Sequence, residues 1–559
     1  MKFKDKIDNN GNILAKDGIL VEIEKDDVKD GVITIPSHVL EIGGYLLSTE
    51  NKIASKFAWD MEEDDDIVGR IKKIIIPETV EHIGKSAFSG FKNLMDVVFL
   101  GDSNLKIIST NAFKDCESLE HIDIPEKVEK IYGNAFKGCK SLKKLKTPKD
   151  SMIVFTDSYF ENLTSLEELD IQGEAAYLEE YGGEVLLDDY TEKITKLSKI
   201  KELVVEKAIS LSNITIPKSV TEIDEYAFGD CGKLEKITIP EGVKVIGECA
   251  FYKCSSLTNI LIPETVTEIE KGAFYRCKSL KAITIPKNIV KISTDTFYAC
   301  TSLTNVIIPE GVKEIGEYAF YNCNSLSDIT IPKSVTNICE GAFYDCRNLL
   351  KIIIPDNVTE IMKNVFESCS NLKDVILPES ITKIGDHAFS DCTSLANIKI
   401  PQSVKEIMGY AFTRCNSLVD MEIPDSVTRI YEGIFAECSN LKRVKMPQNL
   451  AKIPIKMFYY CESLEDISIP ESVTKILLGA FWGCRSIKYV VIPENVTTIE
   501  DFVFAECRNL RSITIPDKFC DDKFFRARAL EKCRPDVKII FTKDLNNRKN
   551  QSTDDFDDR

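Results

Sequence analysis

Prolines that recur every 23 residues constrain the fold of this chain more than any other feature of its sequence. From Pro217 to Pro516 a proline occupies every 23rd position without a slip, and cysteines keep the same step from Cys231 to Cys507. One unit, residues 216–238, reads IPKSVTEIDEYAFGDCGKLEKIT. A period of about 20–50 residues is typical of a solenoid, because one short unit cannot bury its apolar face alone and must stack on its neighbours.

The pattern within a unit predicts one strand, a corner and a short helical turn. We count positions from the proline, which is position 1. The stretch L-x-x-I-x-I-P alternates apolar and polar residues, which is typical of a strand, and proline suits the strand end because it lacks an amide proton. V-x-x-I turns the corner, and A-F-x-x-C fits one or two helical turns that place Ala, Phe and Cys on one side. We therefore expect an α/β solenoid with a parallel sheet and short helical turns opposite it.

The unit I-P-x-x-V-x-x-I-x-x-x-A-F-x-x-C resembles the repeat of BspA-type (treponemal-type) leucine-rich-repeat proteins, and the resemblance covers about residues 31–516. It implies a horseshoe with a concave parallel β-sheet on one side and short helical turns on the other. Members of that class are commonly surface or secreted proteins that bind host matrix proteins or other cells. This chain differs from them because its N-terminus, MKFKDKIDNN, lacks the apolar segment of a signal peptide.

Changes in the regularity of the repeat divide the chain into six predicted segments. They are an N-terminal cap at 1–30 with a turn at 8–12, a short array at 31–149 with an acidic insertion at about 48–66, irregular repeats at 150–216, a regular array at 217–516, a C-terminal cap at 517–543 with a helix and a last strand, and a disordered tail at 544–559.

The charge balance argues against nucleic acid and membranes as partners. The chain has 71 Lys and Arg against 89 Asp and Glu, a net charge of -18, whereas nucleic acids and anionic membranes attract basic surfaces. No stretch approaches the roughly 20 apolar residues of a membrane-spanning helix. Nineteen cysteines without an export signal indicate reduced thiols. We therefore expect a cytoplasmic location, no nucleic-acid binding and no membrane insertion.

The sequence lacks the residue patterns that are typical of enzymes, metal centres and cofactor sites. The four histidines, His38, His82, His121 and His387, are far apart in the array, which argues against a nucleophile–base pair or a histidine metal site. No glycine-rich phosphate loop occurs, and the segments outside the array are too short for a catalytic domain. We therefore expect no enzymatic activity and no cofactor.

Fifteen of the 19 cysteines occupy the same position of the repeat. A zinc site would need pairs such as C-x-x-C, which do not occur. Disulfides between adjacent units are within bonding range, but a run of consecutive stacked thiols cannot all pair. The pattern favours a buried, reduced column of core cysteines. The four cysteines outside that column, Cys249, Cys339, Cys520 and Cys533, are expected to react fastest.

A column of strand residues at position 22 is the first candidate for a partner-binding surface. It is apolar or Thr through Ile376 and charged from Lys399 to Lys445. An exposed apolar strip indicates a binding site, but β-branched residues also occur simply because they favour strands, and both interpretations remain open. The candidate residues are Thr284, Ile307, Thr330, Ile353, Ile376, Lys399, Glu422 and Lys445.

A second candidate is a column of tyrosines that follow the A-F pair in five successive units. Tyrosine offers a large contact area with a polar tip and is common at binding hot spots. The alternative, which the sequence favours, is that each ring shields the turn and stacks on its neighbour. The residues are Tyr252, Tyr275, Tyr298, Tyr321 and Tyr344.

Together these features predict a non-enzymatic protein-interaction module that is monomeric and binds an unidentified protein through its concave face. The alternative, which the family resemblance implies, is a cell-surface or secreted adhesin that binds host matrix proteins or glycans.

Overall fold

The computed structural model of the chain contains two compact units, the first unit (Met1–Leu280) and the second unit (Lys281–Arg559). The predicted turn at 8–12, nearly all of the acidic insertion, most of the segment 150–216 and the tail at 544–559 lie outside the described residues. The structure describes residues 1–7, 13–23, 25–44, 66–155, 165–171, 174–177, 198–199, 212–216, 218, 220–520 and 525–543.

Each unit is a parallel β-solenoid in which most regular repeats contribute two short strands. The strand before the proline, such as Lys236–Thr238, belongs to a first ladder, and the strand after it, such as Val245–Ile246, belongs to a second ladder. The second ladder lies where the sequence predicted only a corner. It forms because the backbone there bonds to the preceding repeat, as when the Gly247 N–H donates to the Ile223 carbonyl at 2.7 Å.

The first unit begins with an antiparallel pair of strands and continues with parallel rungs. Its first-ladder strands are β3 (Val32–Thr34), β5 (Lys73–Ile76), β7 (Asp96–Phe99), β9 (His121–Ile122), β11 (Lys144–Thr147), β13 (Glu168–Ile171), β16 (Asn213–Thr215) and β18 (Lys236–Thr238). Those of the second ladder are β1 (Lys2–Ile7), β2 (Ile13–Glu22), β4 (Glu41–Ile42), β6 (His82–Ile83), β8 (Ile107–Ile108), β10 (Lys130–Ile131), β12 (Met152–Phe155), β14 (Glu174–Tyr177), β15 (Ser198–Lys199), β17 (Glu222–Ile223), β19 (Val245–Ile246) and β20 (Glu268–Ile269). The pairs β1–β2 and β14–β15 are antiparallel.

The second unit repeats the same two ladders and ends with one further strand. Its first-ladder strands are β21 (Ala282–Thr284), β23 (Asn305–Ile307), β26 (Lys351–Ile353), β28 (Asp374–Ile376), β30 (Asn397–Ile398), β32 (Asp420–Glu422), β34 (Arg443–Lys445), β37 (Tyr489–Val491), β39 (Ser512–Ile515) and β40 (Lys538–Phe541). Those of the second ladder are β22 (Lys291–Ile292), β24 (Glu314–Ile315), β25 (Asn337–Ile338), β27 (Glu360–Ile361), β29 (Lys383–Ile384), β31 (Glu406–Ile407), β33 (Arg429–Ile430), β35 (Lys452–Ile453), β36 (Lys475–Ile476) and β38 (Thr498–Ile499).

The segment A-F-x-x-C forms a turn and not the helical turn that its spacing predicts. Two residues of this turn, Tyr318 and Asn322 in one repeat, have the left-handed φ values 51° and 55°, which an α-helix of L-residues does not tolerate. The Phe320 N–H donates to the Ala342 carbonyl of the next repeat at 2.8 Å, whereas the Tyr321 N–H donates to the Tyr318 carbonyl of its own turn at 3.0 Å. Alternate N–H groups thus bond outside the turn, so the α/β description is corrected to a β-solenoid. The helices α1 (Asp66–Arg70) and α2 (Phe525–Ala529) lie outside the regular repeats.

Stacked phenylalanine rings fill the core between the ladders and the turns. The Phe320 side chain is fully buried, and its ring centroid lies 5.3 Å from that of Phe297 and 5.4 Å from that of Phe343. The rings are nearly parallel, with interplanar angles of 16° and 5°. The regular step of the repeat therefore places each phenylalanine against its equivalents in the neighbouring repeats.

The cysteine column lies beside these rings, and its thiols are buried and free of disulfides. Most of these thiols bond to the phenylalanine carbonyl of the preceding repeat, as when the Cys346 Sγ–H donates to the Phe320 carbonyl at 3.1 Å. Burial raises the pKa of the Cys346 and Cys438 thiols to about 12, because the interior does not solvate a thiolate. The column therefore packs as small, protonated core residues.

The four cysteines outside the column differ from one another more than the sequence suggests. Cys520 is exposed, whereas Cys249 is buried and Cys339 is half-buried. Cys533 donates from Sγ to the Phe504 carbonyl at 3.0 Å and so continues the column. Burial raises the pKa of Cys339 and of Cys533 to about 11. Cys520 is the one cysteine that is both exposed and outside the column. We therefore expect Cys520 alone, and not all four cysteines, to react fast.

Replacing Phe320 by Ala should lower the free energy of unfolding by about 3–5 kcal/mol, because the fully buried ring leaves a cavity between two stacked neighbours. Urea denaturation measures the loss, and amide exchange should show that it centres on the adjoining repeats. The surface change Val290→Ala is the control, since that side chain is 58% exposed. A loss below about 1 kcal/mol for Phe320→Ala would contradict the inward orientation of the ring.

Stability should fall as the pH rises above roughly 8.5, the ordinary pKa of a thiol. Between that pH and about 12, a column thiol such as Cys346 ionises only in the unfolded chain, so the free energy of unfolding decreases. Below that window the thiol is protonated in both states and its contribution is complete. Denaturation at several pH values should show a slope that Cys346→Ala reduces by about 1 kcal/mol per pH unit. The same change at the exposed Cys520 should leave the slope as it is, and equal slopes for all three proteins would refute a buried protonated column.

Candidate interaction surface

The outward face of the first ladder carries side chains that vary from repeat to repeat. In β26 the alternation of a strand buries Ile352 and exposes Lys351 and Ile353. The same alternation exposes positions 20 and 22 in most other first-ladder strands of the second unit. These positions are free of core constraints, so their residues determine what this face can bind.

The apolar stripe, defined as Thr284, Ile307, Thr330, Ile353 and Ile376, lies on this face, and all five residues are exposed. The exposed fraction is 53% for Ile307, 54% for Ile353 and 48% for Ile376. Strand pairing places the first two residues side by side and the last two side by side. Thr330 lies between these pairs in a repeat without a first-ladder strand. The structure therefore presents the stripe as two paired groups that flank one threonine.

The charged end, defined as Lys399, Glu422 and Lys445, is exposed beyond the stripe. Lys445 Nζ lies 2.7 Å from Glu422 Oε1 across paired strands. Beside them Arg443 holds Asp420 through two hydrogen bonds of 2.8 and 3.0 Å. Exposed pairs of this kind contribute little to stability. They give this end of the face a polar, electrically balanced surface.

Other exposed apolar side chains on the same face escaped the sequence reasoning, which followed position 22 alone. Leu350 and Val419, both at position 19, are 47% and 42% exposed. Tyr489, at position 20 in β37, is 59% exposed. The sequence signal that could have revealed them is an apolar residue at a position that is polar in most repeats.

The tyrosine column follows the turns and is half-buried throughout. In the first unit Tyr252 and Tyr275 stack with centroids 5.4 Å apart. In the second unit the Tyr321 ring lies 4.3 Å from that of Tyr298 and 5.1 Å from that of Tyr344. The stacked geometry supports the interpretation that these rings shield the turns, and it leaves less of each ring for a partner than the exposed isoleucines offer.

A serine–histidine contact occurs in the first unit, contrary to the expectation from sequence. Ser109 Oγ lies 2.7 Å from His82 Nε2, and His82 Nδ1 lies 3.5 Å from Glu41 Oε1. The hydrogen bond from His82 lowers the pKa of the Glu41 carboxyl. Acyl transfer also needs free N–H donors for an oxyanion, but the Ser109 N–H donates to the Ile83 carbonyl at 2.9 Å. The three residues form a polar row that satisfies its own hydrogen bonds.

Among the residues that the structure describes, no group of three or more His, Cys, Asp or Glu side chains is arranged to hold a metal ion. In the same part of the chain, no helix has the length and apolar character needed to span a membrane.

Replacing Tyr321 by Ala should lower the free energy of unfolding by about 1–3 kcal/mol, because it removes a ring that stacks on two neighbours. Tyr321→Phe keeps the stacked ring and should leave stability nearly unchanged. Urea denaturation of both variants makes the comparison. A loss of less than about 0.5 kcal/mol for the alanine variant would mean that the rings do not support the fold and are available to a partner.

Several solved structures are similar to this chain. One is a leucine-rich repeat protein from Bacteroides ovatus, which is 28% identical, with 60% of this chain and 84% of that protein covered and a TM-score of 0.47. A leucine rich cell surface protein from Faecalibacterium prausnitzii is 28% identical, with 57% and 84% covered and a TM-score of 0.35. A leucine rich repeat protein of T. pallidum is 30% identical, with 33% and 78% covered and a TM-score of 0.25. A search of curated proteins finds no match.

The repeats also match a family model, which is described as a BspA type leucine rich repeat region in six copies. The matched stretches are residues 68–182, 191–304, 290–419 and 406–534. They cover most of the chain, including the described repeats from which the apolar stripe, the charged end and the tyrosine column project. The chain therefore belongs to the BspA-type leucine-rich-repeat family.

Proposed function

We propose that the chain is a non-enzymatic interaction module that binds a protein partner through the outward face of the first ladder in the second unit. The observation that carries this proposal is the exposure of Ile307, Ile353 and Ile376, which leaves about half of each side chain in water. Burying an aliphatic side chain is worth roughly 1.5–3 kcal/mol when it is complete. A partner that covers the three isoleucines gains a substantial part of that free energy.

Strand propensity alone does not account for these isoleucines. Thr284 and Thr330 occupy the same position of their repeats, and threonine is also β-branched. Threonine would therefore satisfy the strand at each rung without exposing an apolar side chain. The presence of isoleucine at three of the five rungs favours a surface that is covered in the functional state.

The charged end supports an arrangement with an apolar centre and a polar rim, which is common at protein interfaces. Lys399, Glu422 and Lys445 lie beyond Ile376 along the same column. Rim charges contribute mainly to the rate and specificity of association. We infer that the partner's apolar contact centres on Ile353 and Ile376 and that its polar groups meet the charged end.

The proposal applies to a cytoplasmic protein and to a cell-surface adhesin alike, because it concerns the binding face and not the location. Protease treatment of intact cells decides the location, since only a surface-exposed chain is cleaved. Size-exclusion chromatography tests the accompanying expectation that the chain is monomeric and that the partner is a different protein.

The variant Ile353→Asp should weaken binding of the natural partner by about tenfold or more, because the interface would bury a charge without a counterion. The partner is first identified by affinity capture with the wild-type chain, and titration then gives each affinity. Lys445→Ala should instead slow association and reduce its dependence on salt.

The matched control is Val290→Asp, which places the same charge on an equally exposed valine beside the second ladder. This control should bind like the wild type, and circular dichroism should show that all variants are folded. Equal binding by a folded Ile353→Asp variant would remove the partner site from the apolar stripe.

A further inference from the structure

One proline interrupts the regular hydrogen bonding of the second ladder in the second unit. In an intact rung, N–H groups at positions 5 and 8 donate to carbonyls of the preceding repeat. The Thr428 N–H donates to the Lys405 carbonyl and the Tyr431 N–H donates to the Ile407 carbonyl, both at 3.0 Å. One repeat later position 8 is Pro454, which has no N–H to donate.

The second ladder opens at this proline. Within residues 220–520 the sheet that ends at β33 is separate from the sheet that begins at β35. In these two strands and the residues beside them, the Ile430 carbonyl receives no N–H from the following repeat, and the Ala451 N–H forms no backbone bond to the Thr428 carbonyl. Two carbonyl acceptors and at least one N–H donor are therefore left at facing strand edges.

The opening is confined to the second ladder. The centroids of Phe435 and Phe458 lie 6.0 Å apart, compared with 5.3 Å for Phe458 and Phe481 in the next step. The repeats remain joined at their turns, where the Gly433 N–H donates to the Ile455 carbonyl at 2.9 Å. They also remain joined in the first ladder, where Arg443 and Asp466 form a parallel bridge. The result is a slot on one side of an otherwise continuous stack.

A cleft of about 440 Å³, which we call the Pro454 cleft, occupies this place. Its volume falls in the range of about 300–1,000 Å³ that is typical of ligand sites. The residues of both open edges line it, together with Tyr410 and Leu477. The Tyr410 ring packs against Gly433, whose φ is +61° and at which a Cβ would lie 2.4 Å from a ring carbon. This close packing fixes the ring as one wall.

The side chains around the cleft offer charges that no protein group neutralises. Lys452 and Glu432 both line it and are exposed. Among the described residues neither has an oppositely charged side chain within ion-pair distance. Arg429, by contrast, already pairs with Glu406. The cleft therefore combines strand-edge donors and acceptors with one free cation and one free carboxylate.

We propose that the Pro454 cleft binds an extended peptide segment of a partner protein, whose main chain lies along the mouth of the slot and bonds to the unpaired carbonyls of Thr428 and Ile430 and to the Ala451 N–H. Only a polypeptide presents amide donors and carbonyl acceptors at the spacing of a strand, and addition of a strand to an open edge is a recurrent mode of peptide recognition. The free Lys452 favours a peptide with an acidic side chain at the position that faces it. The site lies on the second ladder, so it is independent of the function proposed for Ile353.

The proline distinguishes this opening from another interruption of the same ladder. Pairing is also absent between β25 and β27. There position 8 is Met362, which keeps its N–H and can close the ladder through a small shift of the backbone. At Pro454 the donor does not exist, so the free carbonyl of Ile430 is a permanent feature of the folded chain.

The test selects heptapeptides from a random displayed library on the full chain and compares their binding to Pro454→Met, which restores the missing donor. A selected peptide should bind the wild type at least tenfold more tightly than this variant. On binding, the amide hydrogens of residues 451–453 should exchange more slowly, and in Pro454→Met they should be protected without peptide. Lys452→Glu should weaken the binding of acidic peptides at least tenfold.

Met362→Leu is the matched control, since it changes the same position of another repeat without altering its N–H, and Ile353→Asp should also leave peptide binding unchanged. Circular dichroism confirms that each variant is folded. The proposal is overturned if no selected peptide distinguishes the wild type from both Pro454→Met and Lys452→Glu. It is also overturned if the bound peptide protects the outward face of the first ladder and leaves residues 451–453 in fast exchange.

Discussion

The stacking of each repeat on the next, at the spacing of neighbouring strands, is the constraint on which the rest of the structure depends. Strand pairing fixes this spacing at about 4.8 Å, and the phenylalanine rings follow it closely, as in the 5.3 Å between Phe297 and Phe320. Even the turns obey it, because the Phe320 N–H bonds to the next repeat and not to its own turn. A side chain that cannot pack against its equivalents at this spacing must therefore lie at the surface.

The same spacing makes each position of a repeat the neighbour of its own equivalent. Like charges at successive rungs repel each other, and several rungs alternate in sign instead, as in Lys291 with Glu314 at 2.7 Å and Asp420 with Arg443 at 2.8 Å, whereas Lys452 faces Lys475. A bulky ring at one rung requires space at the next, which Gly433 provides. Substitutions in this chain therefore act on a residue together with its equivalents 23 positions away.

The inward side of the fold was predictable from sequence because the period itself identifies it. Phe320 and Cys346 recur without a slip, and the structure buries both completely. The turns were predicted less well, since A-F-x-x-C places the same side chains inward in a helix and in this turn. The difference lies in the partner of the Phe320 N–H, a contact 22 residues away that no local pattern encodes. The exposure of Ile353 followed from strand alternation, but Leu350 was missed because it departs from the usual residue type at its own position.

Departures from the repeat are consequently the most informative positions for function. Positions that face the core differ little between repeats, because each must fit an equivalent neighbour. Ile353 departs from the threonine found at related rungs and exposes apolar surface, which lowers solubility without adding to the core. Pro454 departs at a position whose N–H serves the ladder, and it removes a hydrogen bond that neighbouring repeats retain. Both departures leave groups exposed that a bound partner would cover, and the two proposed sites therefore lie where the repeat is broken.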